Sequence, residues 1–325
     1  MDIAVFSPSQ LHVVLRALRA AAAGAGPVSA DALAFLEAFR SITGHPAPAD
    51  ALDAIDPRIV ADVVPGAHPR KRLVQLAAVA AMVSRPVRRE CADYVRALAD
   101  VLQVRDPVVG VVDALARGRR LRVRMLTMRR MMRVMMKEAW RSEGLLGPLR
   151  VLGATWLRLT VNKDRLWSYK KLGLLPEGTL GREFWAHVTS RGFGFPGELG
   201  GIPQVVAYHD VGHVLTGYGT EPEGEIRQGA FQAGNRREDG FVFLQFVLLQ
   251  FHHGMKLTPI APAFTGLFDP ADVLAAVHRG ACCGVDITHQ WDYWPLLAKP
   301  LAEARVAIGL RPHVRAGAEA LAPTG

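Results

Sequence analysis

Apolar residues return at intervals of three and four over residues 1 to about 115, and no useful stretch there alternates apolar with polar. A period near 3.6 puts apolar side chains on one face of a helix, whereas a half-buried strand needs a period of two. "DALAFLEAFRSI" (31–42) and "ECADYVRALADVL" (90–102) both carry the helical pattern. Over residues 1 to about 115 the pattern predicts a small helical bundle. Half of the 325 residues are hydrophobic, enough to fill a sizeable core. Proline and glycine in "GHPAPAD" (44–50) and "PGAHPRKR" (65–72) predict short connections between helices. The most apolar runs, "LVQLAAVAAMV" (73–83) and "FVFLQFVLLQF" (241–251), are shorter than the ~18 residues a membrane-spanning helix needs and read as buried helices.

The chain divides into three parts. Residues 1–118 read as a helical domain with no chemistry of its own, opening on an amphipathic helix rather than a signal peptide. Residues 119–148 hold a basic helix within "ARGRRLRVRMLTMRRMMRVMMKEAW" and a joint, "SEGLLGP". In that helix Met125, Met128, Met132 and Met135 form one stripe, and Arg129, Arg133 and Lys137 form a cationic row. An inward methionine stripe with solvated arginines is the plainer expectation; an anionic membrane surface or a partner protein is the alternative. Residues 149–325 carry the chemistry, and the tail 316–325 reads as frayed.

Net charge is +9, from 39 basic and 30 acidic residues, which suits anionic partners. Nucleic acid is not expected, because the basic segment lacks a recognisable motif and interleaved aromatics. Three cysteines, Cys91, Cys282 and Cys283, make no disulfide framework and fit a reducing cytoplasm. The last two read as core residues.

"AYHDVGHVLTGYGTEPEGEI" (207–226) is the stretch with chemistry in it. On a helix, His209 and His213 lie one turn apart on one face, and Asp210 borders that face. Gly217 is a helix stop. Thr220 suits the N-cap of the next helix, with Pro222 early and Glu223 completing a capping box. Glu225 then falls in the first turns of that helix and can fold back on the histidines. Two imidazoles and two carboxylates suit zinc, and iron(II) or manganese equally, since no thiolate biases the choice. His252, His253, His278 and His289 are candidates for a supporting partner or base, with His253 and His289 preferred. Tyr208 and Tyr218 flank the motif and can either pack or donate a hydrogen bond to a ligand oxygen.

The spacing HDxxH, eleven residues, then Glu resembles the signature of the Coq-four family of ubiquinone (coenzyme Q) biosynthesis proteins. "LPEGTLGREFWAHVTSRGF" and "YWPLLAKPLAEARVAIGL", the latter within a closing amphipathic helix, are similar to that family's flanking segments; the resemblance spans roughly 150–310, and residues 1–120 lie outside it. It implies an all-α fold, a multi-helix bundle, and a zinc-type site between two consecutive helices with His209, Asp210, His213 and Glu225 as ligands and catalytic groups. It also implies an apolar channel for a polyprenylated quinone precursor, oxidative decarboxylation of a hydroxybenzoate-type ring (a lyase reaction), and organisation of the other quinone-biosynthesis enzymes. A peripheral position on the cytoplasmic face of the membrane, and a homodimer, would be compatible. Two alternatives stand beside this. One is a non-catalytic prenyl-lipid scaffold with a structural metal. The other is a metal phosphohydrolase of the His-Asp doublet type, using His187, His209, Asp210 and Asp239.

Overall fold

The structure is a computed structural model and describes residues 1–143, 162–199, 201–202, 204–258 and 262–312. The described elements are helical throughout, joined by two isolated β-bridges, Thr179 with Pro300 and His253 with Thr265. The expected joint at 142–148 falls mostly outside the described residues, and the tail 316–325 entirely.

The first helices follow their local signals. Helix α1 (Pro8–Ala23) starts at Ser7 in a capping box with Gln10. Helix α2 (Ala30–Thr43) starts at Ser29, whose side chain accepts from Ala32 N, and stops at Gly44 with φ 72°. Helices α3 (Pro57–Val63) and α6 (Pro107–Ala116) each pair an aspartate N-cap with proline at the first position. Helix α4 (Ala67–Val83) starts earlier than expected: residues 67–72 of the anticipated connection are its first turns, because proline is tolerated there. Helix α5 (Arg89–Val101) packs between α4 and α6.

Helix α7 (Arg120–Glu143) does not turn its methionines inward. Met125 is 66% and Met132 37% exposed, while Val123, Thr127 and Arg130 are buried. Polar chemistry decides the orientation. Arg130 Nη1 donates to Asp106 Oδ1 at 2.7 Å, and Gln75 Nε2 donates to Asp106 Oδ2 at 2.8 Å. Gln245 Nε2 donates to Thr127 Oγ1 at 3.0 Å, and Arg130 lies over the Phe241 ring. A buried guanidinium without its carboxylate costs more than exposing two thioethers.

Helices α8 (Lys163–Lys170), α9 (Leu180–Ser190), α10 (Gln204–Thr216) and α11 (Pro222–Asn235) follow. Helix α12 (Phe241–Val247) runs on as a π-helical turn, Leu248–His252, and is buried nearly all round, as its sequence predicts. Helix α13 (Pro270–Ala281) crosses α11 so closely that a Cβ on Gly234 would sit 1.9 Å from Val277 O, and one on Gly280 2.1 Å from Phe231 O. The predicted long closing helix is instead a 3₁₀ turn at Trp294–Leu296 and a short α14 (Leu301–Ala307), interrupted at Pro295 and Pro300.

One hydrophobic cluster holds residues from Met1 to Leu310. Helix α2 packs on α13, α4 on the π-helical turn, and α7 on α12. His252 and His253 donate to the carbonyls of Val83 and Met82, both at 2.7 Å. Helices from 1–118 and from 149–325 thus bury their apolar faces together.

Candidate metal centre

Helix α10 places its histidines as the i, i+4 spacing requires, and Gly217, at φ 76°, ends it. Two arginines hold its C-terminus. Arg305 Nε donates to Leu215 O at 2.7 Å, and Arg279 Nη1 to Thr216 O at 3.0 Å. These are the carbonyls that a helix leaves unpaired, and the cations also suit the negative end of its dipole. The turn then brings α11 back alongside. Its N-cap is Glu221 rather than Thr220, whose hydroxyl instead accepts from Arg191 Nε at 2.9 Å; Pro222 takes the first position as expected. Gly212 makes the approach of α11 close: a Cβ there would meet Gln228 Nε2 at 2.2 Å.

This approach delivers Glu225 to the histidines. His209 Nε2 lies 3.2 Å from Glu225 Oε2, His213 Nε2 lies 3.4 Å from Oε1, and the two Nε2 atoms are 3.0 Å apart. The rings meet edge to face, 84° between planes. Among the described residues these three form the group whose ligand atoms all lie within 4.8 Å of one another. The His213 side chain is 1% exposed, whereas His209 and Glu225 are 30% and 29% exposed, so the site opens on one side.

The tautomers follow from the far side of each ring. His213 Nδ1 lies 3.0 Å from the Tyr218 carbonyl, which can only accept, so Nδ1 carries the hydrogen. His209 Nδ1 faces Gln232 Oε1 at 3.0 Å in the same way. Both Nε2 lone pairs therefore point at each other and at a carboxylate. Three acceptors in one spot repel unless a positive charge sits among them, and a ring N–H tied to an acceptor is how a metal-binding histidine is normally oriented. The donor set fits a divalent cation. In the metal-free protein a proton supplies that charge. Burial disfavours a charge on His209, but the hydrogen bond and charge of Glu225 outweigh it and hold the ring's pKa up to about 9. Burial likewise disfavours an ionised Glu225, yet its interactions with His209 and His213 bring it down to about 2.

Asp210 does not join the trio. It is buried, with Oδ1 3.9 Å from His187 Nε2. Its Oδ2 and His187 Nε2 are buried without a hydrogen-bond partner. Burial raises the Asp210 pKa; burial, followed by the charges of Arg191 and the two site histidines, lowers that of His187 to about 3. The His187 ring stacks on that of His213, centroids 5.6 Å apart. Helix α9 brings it there, and its one sequence signal is its place ahead of the His-Asp doublet. Asp239, the other phosphohydrolase candidate, lies 4.0 Å from Lys137 instead.

The remaining candidates lie outside the trio. His252 and His253 tie the π-helical turn to α4. His278 faces Cys282 Sγ at 3.7 Å, and His289 sits 3.6 Å from Asp286. Tyr218 is buried under Arg279, 5.2 Å from ring centroid to guanidinium. Tyr208 meets Tyr293 edge-on, and Tyr293 shares a hydroxyl hydrogen bond with Tyr169. Two cavities, about 370 and 230 Å³, have neither His209, His213 nor Glu225 in their lining. No described helix is long and apolar enough to cross a membrane.

No family model matches the chain, and no curated protein matches it. Comparison with solved structures returns a protein from Nostoc punctiforme, provisionally assigned to ubiquinone biosynthesis. It is 19% identical, with a TM-score of 0.33, over 62% of this chain and 93% of that one. A likeness this slight assigns neither fold nor activity.

Proposed function

We propose that this chain is a metal-dependent protein of quinone biosynthesis that decarboxylates a polyprenylated hydroxybenzoate-type acid and helps to organise the enzymes around it. One observation carries the reading: two imidazole lone pairs and a carboxylate converge within hydrogen-bond distance, with one side open. A cation held there would act as a Lewis acid on the ring carboxylate and the neighbouring phenol oxygen. His209 and His213 are held in the ligating tautomer by Gln232 and by the Tyr218 carbonyl, so their geometry precedes binding. Zinc, iron(II) and manganese all accept two nitrogens and one carboxylate, and Asp210 lies next to the set as a further candidate ligand.

Peripheral membrane contact belongs to the same proposal. Leu121, Met125, Met132 and Trp140 are exposed along α7, flanked by the exposed Arg129, Arg133 and Lys137. An apolar strip bordered by cations suits an anionic bilayer surface.

The test is turnover. Purified protein loaded separately with zinc, iron(II) or manganese is given a prenylated hydroxybenzoate, and carbon dioxide release is followed. Release that ends when the metal is chelated, while the fold persists by circular dichroism, is expected. No release with any of the three metals, combined with retained lipid binding, would favour the scaffold alternative.

A further inference from the structure

The cavity of about 230 Å³ lies between the start of α4, the end of α7 and the turn before α12, and its lining includes none of His209, His213 and Glu225. Its lining includes Lys71, Arg72, Lys137, Arg236 and Arg237, five permanent cations, against Glu238 and Asp239. The acids are already engaged. Glu238 accepts from Lys137 and Arg141, both at 2.9 Å, and Asp239 lies 4.0 Å from Lys137. Arg236 donates to the Glu238 carbonyl, and Arg237 to that of Cys283.

Two cations are left over. Lys71 is exposed and has no ion pair among the described residues. Arg72 donates through Nη1 to Gln75 Oε1 at 2.7 Å, but its Nε is buried without a hydrogen-bond partner. A buried N–H is normally satisfied, and a desolvated guanidinium calls for an anion. Burial lowers the Arg72 pKa to about 10, although Asp2 and Asp106 pull the other way. The electrostatics of this corner are therefore short of negative charge.

We infer that this cavity binds a phosphoryl anion, free or as a lipid headgroup, with Lys71 and Arg72 as its principal contacts. A phosphoryl group offers several acceptor oxygens and more than one negative charge, which matches a fork of guanidinium donors beside an ammonium. A single carboxylate would leave part of the positive field unanswered.

Calorimetric titration of the full chain with inorganic phosphate and with pyrophosphate tests this, beside flotation with phosphatidate-containing and pure phosphatidylcholine vesicles. Lys71→Glu changes an exposed side chain, Arg72→Gln removes the buried donor, and Arg105→Gln is the control. Lys71 lines both cavities, Arg72 only the smaller and Arg105 only the larger, and Arg105→Gln removes the same charge as Arg72→Gln. Binding in at least one phosphoryl arm is expected, weakened tenfold or more by K71E and within twofold of wild type in R105Q. The arm that carries the effect identifies the source of the phosphoryl group. Thermal melting of each variant separates lost binding from lost folding, and K71E decides if R72Q does not fold. Absence of binding in every arm overturns the proposal, as does an effect of R105Q equal to that of K71E.

Discussion

In the metal-free protein the site at His209 holds a proton that a cation has to displace. With the ring's pKa at about 9, His209 is protonated at pH 7, while Glu225 at about 2 and His187 at about 3 do not titrate nearby. One pKa unit corresponds to about 1.4 kcal/mol, so displacement at pH 7 costs about 3 kcal/mol relative to pH 9. Apparent metal affinity should therefore rise about tenfold per unit between pH 7 and 8, with about one proton released per cation bound. In the absence of metal the sign is opposite for folding. The raised His209 pKa adds stability that is fully present below the ordinary value of 6.5 and is lost as pH rises through about 9. Competition against a chromophoric chelator at several pH values gives the affinity, and calorimetry in buffers of different ionisation enthalpy counts the protons. Glu225→Gln removes the anion that holds the proton, so its affinity should be weaker and its pH dependence flatter. Affinity constant within twofold from pH 7 to 8, with no proton released, would refute the reasoning.

Three further outcomes are expected. Asp106→Ala leaves the 8% exposed Arg130 side chain without its carboxylate and should lose about 3–5 kcal/mol in urea unfolding, much of it recovered by replacing both partners with Leu and Met; a loss under about 1 kcal/mol would mean that the pair is not buried in solution. His253 is held neutral by burial, which lowers its pKa to about 4 against the hydrogen bond to Met82. Its contribution is present above the ordinary pKa of 6.5 and falls away as pH drops towards 4, by about 3 kcal/mol; denaturation profiles at pH 7 and 4.5 should differ by less in His253→Gln. Reversal of Arg129, Arg133 and Lys137 to glutamate should release the protein from anionic vesicles, and undiminished co-sedimentation would retire the membrane face of α7.

The helices of residues 1 to about 115, the helix carrying His209 and His213, its stop at Gly217 and the return of Glu225 were legible because each rests on local spacing. What the sequence hid depends on tertiary neighbours. Asp210 borders the histidine face by register, yet it turns towards His187 on α9, a partner that no spacing announces. The methionine stripe of α7 misleads because Arg130, reading as one more surface cation, finds Asp106 from another helix. The closing segment keeps its amphipathic pattern but is cut at Pro295 and Pro300. Thr220 has the right chemistry for an N-cap, yet Arg191 engages its hydroxyl.

Metal analysis of the protein purified from its own host, without added metal, addresses the central claim most directly when joined to X-ray absorption at the metal edge. About one divalent cation per chain is predicted, in a shell of nitrogen and oxygen that includes two imidazoles, with most of the metal lost in His213→Ala. Metal at background level, or metal that His213→Ala leaves in place, would contradict it.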